Sequence, residues 1–237
     1  MNMPTLEELL AACREDEYEK VFEWLTEDPQ LAHARTMLGS QAIHAAHFAG
    51  RERVVKLILS RGVSMNVFLA SELGNTKYVQ DEISKEPHLA TAFNESGATA
   101  LHSASYWGQI ATARMLLDHG ADANAPTRDS FLEIMPLGCA VATPDTPNPS
   151  DREEIVLNLV ALLLRHGAKV NGRRRDGLTA LHSAAHRGHY RVIELLLEHG
   201  ADASIQGTDG PHAGHSASDV AISQGHRKVA ELLESHG

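Results

Sequence analysis

At 237 residues and 43% apolar content the chain can hold one extensive core, while a formal charge of −10 leaves no broad basic surface to neutralise nucleic-acid phosphates. Two cysteines far apart, Cys13 and Cys139, argue against a disulfide and for a reducing, cytoplasmic setting. The N-terminus lacks the basic start and apolar stretch of a secretory signal, and no apolar run approaches the 18 residues of a membrane span.

The chain opens acidic. Residues 1–30 hold nine acids against Arg14 and Lys20, a net of −7. Thr5-x-x-Glu8 makes a reciprocal cap for a helix near 6–14, and a second helix follows near 18–26, with Leu9, Leu10, Val21 and Leu25 facing inward. Asp28-Pro29 then breaks it. The next segment, 36–66, opens with Gln41-Ala42-Ile43-His44 and carries a helix through Val54, Val55, Leu57, Ile58 and Leu59 to Gly62. Segment 67–94 is shortened, because Asn66 leads almost directly into Phe68-Leu69-Ala70 and leaves no room for a projecting turn. Its Glu86-Pro87-His88-Leu89-Ala90 echoes Asp28-Pro29-Gln30-Leu31-Ala32 at a distance of 58 residues.

Segment 95–127 is regular, with Thr99-Ala100-Leu101-His102 near its start. Segment 128–172 keeps Pro136-Leu137 but inserts a stretch from Thr143 to Ser150, where Pro144, Pro147 and Pro149 bar a helix and Ser150-x-x-Glu153 restarts one. Residues 175–204 are the clearest unit. Asp176-Gly177 turns the chain, Thr179 caps a short helix ending at Gly188, and Val192, Ile193, Leu195, Leu196 and Leu197 form the stripe of a second helix ending at Gly200. A degenerate copy, 208–237, closes the chain.

Two short helices cannot bury such a stripe alone, so the unit must stack on its copies. Thr179-Ala180-Leu181-His182, its repetition at Thr99–His102 and the 33-residue interval from Gly167 to Gly200 resemble the ankyrin-repeat family, with its Thr-Pro-Leu-His-x-Ala signature. The resemblance implies an all-α solenoid of about seven helix-turn-helix repeats with short β-hairpin-like fingers, forming a single domain over 1–237. Residues 4–35 would be an acidic N-terminal cap and 208–237 a C-terminal cap, each with one face that has no neighbour. Repeats one and three form one subtype and the others another, which is similar to a common prokaryotic ankyrin type.

Fifteen histidines suggest metal, but eight of them (His44, His102, His182, His189, His226, His119, His166, His199) fall on repeating framework positions. Neither metal-ligand spacings, a nucleophile elbow nor a phosphate-cradling glycine loop is present, so the expectation is no metal, no cofactor and no recognisable catalytic set. His47 stands where the repeat favours a small Ala, and with Glu72 it is the candidate for a pocket.

The resemblance also implies that the two residues before each inter-helix glycine face a concave groove. Here these are Phe48-Ala49, Glu72-Leu73, Tyr106-Trp107, Ala142-Thr143, His186-Arg187 and Ser223-Gln224. Aromatics are only 5% of the chain, yet Phe48, Tyr106 and Trp107 sit there, and aromatic and Arg side chains are the usual interface anchors. Finger tips add Met37-Leu38, Arg128 and Phe131, and the run Arg173-Arg174-Arg175, which is either a solvated loop or a site for a carboxylate. The expected function is therefore a non-catalytic scaffold binding a protein or acidic peptide through Phe48, Leu73, Tyr106, Trp107, His186, Arg187 and these tips. The alternative is a small-molecule or enzymatic site between repeats two and four, where His47, Glu72 and Tyr106 would converge. The chain would be a monomer or weakly self-associating through the same face.

Overall fold

Several helices begin where a side chain satisfies one of their unpaired N–H groups. At the start of the chain the Thr5 hydroxyl accepts from the Glu8 N–H at 3.2 Å, and the Glu8 carboxylate accepts from the Thr5 N–H at 2.7 Å. That bond from the Thr5 backbone holds the Glu8 carboxyl below the usual carboxylate range. A computed structural model of the chain describes residues 3–34, 42–128, 132–144 and 149–236, and its described residues form fourteen α-helices with isolated β-bridges in place of strands. By the density of internal contacts the chain divides into Met1–Asn66 and Val67–Gly237.

The first unit holds α1 (Leu6–Arg14), α2 (Tyr18–Glu27), α3 (Ala42–Phe48) and α4 (Glu52–Ser60). Leu9, Val21, Leu25, Ile43 and Ile58 are fully buried, each contributing about 1.5–3 kcal/mol of apolar burial. Asp28 ends the second helix by capping a short 3₁₀ turn, Pro29–His33, with its carboxylate on the Gln30 N–H at 2.9 Å. The two pairs are clasped by arginine. Arg51 donates to the Arg14 carbonyl at 2.9 Å, and the Arg53 and Arg61 guanidinium groups lie over Tyr18 and Phe22. Cys13 is fully buried on α1, and burial pushes its thiol up to about 12.

The second unit holds ten helices in two rows. Its front row is α5 (Val67–Glu72), α7 (Ala100–Tyr106), α9 (Pro136–Val141), α11 (Ala180–Arg187) and α13 (Ala217–Ser223), each packed on the next. The back row is α6 (Thr76–Lys85), α8 (Ile110–Asp118), α10 (Pro149–Arg165), α12 (Tyr190–Glu198) and α14 (Arg227–Glu234). Leu101, Leu116, Leu159, Leu163, Leu181, Ile193 and Leu196 fill the space between the rows. Only residues 61–66 separate α4 from α5, so this connection has no finger, as the shortened spacing implies. Pro87–Ala90 repeats the 3₁₀ turn of Pro29–His33, the structural form of the sequence echo. The proline-rich insertion is shorter than expected. Helix α10 starts at Pro149, because proline is tolerated in a first helical turn, and residues 145–148 lie outside the described residues.

Two kinds of bond hold successive repeats in register. The Nδ1 of His102 accepts from the Thr99 N–H at 3.1 Å, which requires the neutral ring, and Nε2 then donates to the Ile134 carbonyl of the next repeat at 3.0 Å. The second is an asparagine clasp. Asn124 donates to the Gly167 carbonyl at 2.9 Å and accepts from the Lys169 N–H at 2.7 Å, and Asn171 does the same with Gly200 and Asp202. Ser204 occupies the next equivalent place and bonds to its own Asp202 carboxylate instead.

The fingers are turns held by isolated bridges or single backbone hydrogen bonds. Phe93 pairs with Thr99, and the Arg174 N–H donates to the Leu178 carbonyl at 2.9 Å. Gly177 turns this second finger with φ +82°, and a Cβ there would meet the Thr208 backbone nitrogen at 2.7 Å.

Candidate functional site

Most front-row helices end two residues before their inter-helix glycine and α11 one residue before it, so the two residues preceding the glycine are about 100° apart around the axis. They therefore do not share a face. Leu73, expected as a contact residue, is only 5% exposed and belongs to the core, and Thr143 is buried for the same reason. In four of the six pairs the first residue is the more accessible. Phe48 is 50% exposed, His186 is exposed, and Glu72 and Tyr106 are partly exposed.

At the end of α7 the Tyr106 and Trp107 rings meet edge to face, with centroids 5.3 Å apart and planes at 87°. Both stay partly exposed. Partial burial, with the nearby Cys139 thiol, raises the Tyr106 hydroxyl above the usual phenol range. The Glu72 carboxylate accepts from the Ser103 hydroxyl of the same front row at 3.4 Å, and its backbone carbonyl accepts from Gln109 at 2.9 Å. In the first unit His47 stands edge-on to Phe48 at 5.3 Å, and the His44 ring stacks on Phe48 at 6.3 Å.

The finger tips differ from expectation in their charge. Arg174 is ion-paired with Asp176, and Arg175 with Glu133 of the preceding finger. Burial would raise the Asp176 carboxyl, but the Arg174 guanidinium and the Leu178 N–H hold it below the usual carboxylate range. The carboxylates assigned to a partner are thus supplied by the chain for two of the three arginines. Arg173 is exposed and carries no ion pair among the described residues. The Arg128 guanidinium carbon lies over the Phe93 ring, 3.7 Å from its centroid. Met37, Leu38 and Phe131 lie outside the described residues.

One cleft of about 220 Å³ opens between repeats six and seven. Arg174, His182, Ser183, His186 and Arg187 line one side and His212 the other. The Arg187 guanidinium, half-buried, donates from Nη2 to the Ala142 carbonyl at 3.3 Å. The His212 ring sits between His186 and His215, at 6.2 and 6.1 Å. Burial holds the His182 imidazole below the usual histidine range, against the opposing pull of the His215 and Ile205 carbonyls. His212 was not singled out by the sequence, because its place depends on the 3₁₀ turn Gly210–His212 folding back towards α11. The Gly-Pro-His stretch was the only signal. Among the described residues no three acidic, histidine or cysteine side chains are gathered as a metal would require, and no helix is long and apolar enough to cross a membrane.

A family profile described as ankyrin repeats in three copies matches residues 9–127 and 153–237. The chain is 41% identical over 95 residues to the B-cell lymphoma 3 protein homolog of Mus musculus, covering 40% of this chain and 18% of that protein. It is 45% identical over 60 residues to Palmitoyltransferase akr1 of Schizosaccharomyces pombe, covering 25% of this chain and 9% of that protein. The chain therefore spans less than a fifth of the length of either relative.

Proposed function

Since the chain belongs to the ankyrin-repeat family, whose repeats in general mediate protein–protein interaction, we propose that it is a non-catalytic module recognising a protein or acidic peptide through the C-terminal ends of its front-row helices. The observation that carries this reading is the Tyr106–Trp107 pair, two large rings left partly exposed at the end of a helix whose other residues are buried. Amphipathic rings of this kind bring large contact area at little cost in conformational freedom. Phe48 offers a similar ring on the first unit, and His186 and Arg187 bias the surface towards an acidic partner.

The test is a Tyr106→Ala/Trp107→Ala double variant. A partner captured from extract by the native chain is identified, purified and titrated by calorimetry against both forms. Removing the rings costs about 2 kcal/mol or more, a loss of about thirtyfold in affinity. A double variant with native helicity and undiminished affinity overturns the reading.

A further inference from the structure

Three arginines near the C-terminal end are answered by a carboxylate of the chain itself: Arg174 by Asp176, Arg175 by Glu133 and Arg191 by Glu154. Arg187 is not. It is half-buried in the cleft between repeats six and seven, its hydrogen bond goes to a neutral carbonyl, and no carboxylate pairs with it among the described residues. A cation partly withdrawn from water without a counter-charge is costly, and most of its five N–H donors remain to be used. The space beside it, about 220 Å³, is below the usual size of a small-molecule pocket but ample for one carboxyl group.

The charges around this space are of one sign unless already matched. From α11 come His182, His186 and Arg187, and from the loop before α13 come His212 and His215. Arg174 reaches it from the finger with Asp176 already bound, and the Asp219 carboxylate of α13 is taken by the Ser216 N–H and hydroxyl at 2.8 and 2.7 Å. His226, at the start of α14, donates to the His186 carbonyl at 3.2 Å, and Arg152 of α10 donates to the Thr143 carbonyl at 2.8 Å. Histidine as a class gains its charge between about pH 8 and pH 5, so acidification adds positive charge to a space holding no unengaged carboxylate among the described residues.

We propose that this cleft is a carboxylate subsite, in which Arg187 grips both oxygens of one carboxyl group of a bound peptide and protonated His186 and His212 tighten the grip as pH falls. It rests on the recognition reading above and narrows it. A planar guanidinium matches a carboxylate bidentately, which an ammonium does not. The group can come from an acidic side chain or from a chain end.

Three probes separate these sources on the full chain: N-acetyl-glutamate amide, with only a side-chain carboxylate; N-acetyl-alanine, with only a terminal one; and neutral N-acetyl-glutamine amide. Each is titrated while the imidazole ring protons of His186 and His212 are followed by NMR. At about pH 6 one or both charged probes shift the two rings saturably, and the tighter probe identifies the source. Binding weakens about fivefold at about pH 8, and about tenfold or more in Arg187→Gln. Should that variant not fold, His186→Asn/His212→Asn, followed instead through the ring protons of the neighbouring His182 and His215, keeps the arginine, retains the binding seen at about pH 8 and loses the gain on acidification. The proposal is overturned if the neutral probe binds as well, if neither charged probe shifts the rings, or if both variants titrate like the native chain. The Tyr106→Ala/Trp107→Ala form titrates with these probes as the native protein does, so failure of the aromatic surface and failure of this subsite are told apart.

Discussion

His102 makes the bond between repeats four and five, and its replacement by Ala measures what one such link is worth. The ring is 2% exposed. Removing it leaves the Thr99 N–H, on a residue 3% exposed, without its acceptor, a cost of about 1–3 kcal/mol. The Ile134 carbonyl loses its donor at 3.0 Å but is partly exposed and can turn to water, adding about 0.5–1 kcal/mol. Lost packing of the ring adds about 1 kcal/mol more. The total is about 3 kcal/mol, or a fall of about 1 M in the urea midpoint for a denaturant slope of about 3 kcal/mol/M. The assay is urea unfolding in a Trp24→Phe background, where fluorescence reports Trp107 and hence the second unit alone. His88→Ala, on a well-exposed ring, is the control and shifts the midpoint negligibly. A His102→Ala midpoint within about 0.2 M of its parent would refute the idea that this imidazole links the repeats.

Three further outcomes follow from local geometry. Gly177→Ala places a Cβ at 2.7 Å from the Thr208 backbone at φ +82°, and should cost about 2 kcal/mol by thermal unfolding, whereas a neutral result would show that the finger relaxes freely. With the Cys13 thiol pushed up to about 12 by burial, iodoacetamide should label it in the native protein about a hundredfold more slowly than in urea, as read by mass spectrometry; equal rates would place it on the surface. His182 has a lowered folded pKa, so the unfolded chain takes up the proton first. Its contribution is full above the unfolded value of about 6.5 and is lost as pH falls below it. Urea midpoints should therefore drop between about pH 7.5 and pH 5.5, with a shallower drop in His182→Gln, and an unchanged slope would contradict the assignment.

Much of this was legible because the repeat imposes the same physics at each turn. Thr5 and Glu8 define α1 by themselves, and Leu6–Arg14 is the helix their spacing implies. Thr179 caps α11 as expected, and the two Pro-x-Leu-Ala echoes fold into the same 3₁₀ turn. The site was harder. The register of the repeat places both Glu72 and Leu73 on the groove, yet one residue rotates a side chain by about 100°, enough to move Leu73 from surface to core. The arginine run looked unpaired because the carboxylate that answers Arg175 lies 42 residues away in the chain. Nothing local to Arg173–Arg175 signals Glu133. His212 escaped notice because its position depends on a loop with no counterpart in the other repeats.

The asparagine clasps at Asn124 and Asn171 work because one planar amide offers a donor and an acceptor on the same edge, matching the carbonyl and N–H of the loop beyond. Exchange of the amide nitrogen for oxygen, as in spontaneous hydrolysis to aspartate, would turn the donor into a second acceptor facing a carbonyl. Such chemical ageing at either position would unfasten two neighbouring repeats while leaving both helix pairs chemically intact.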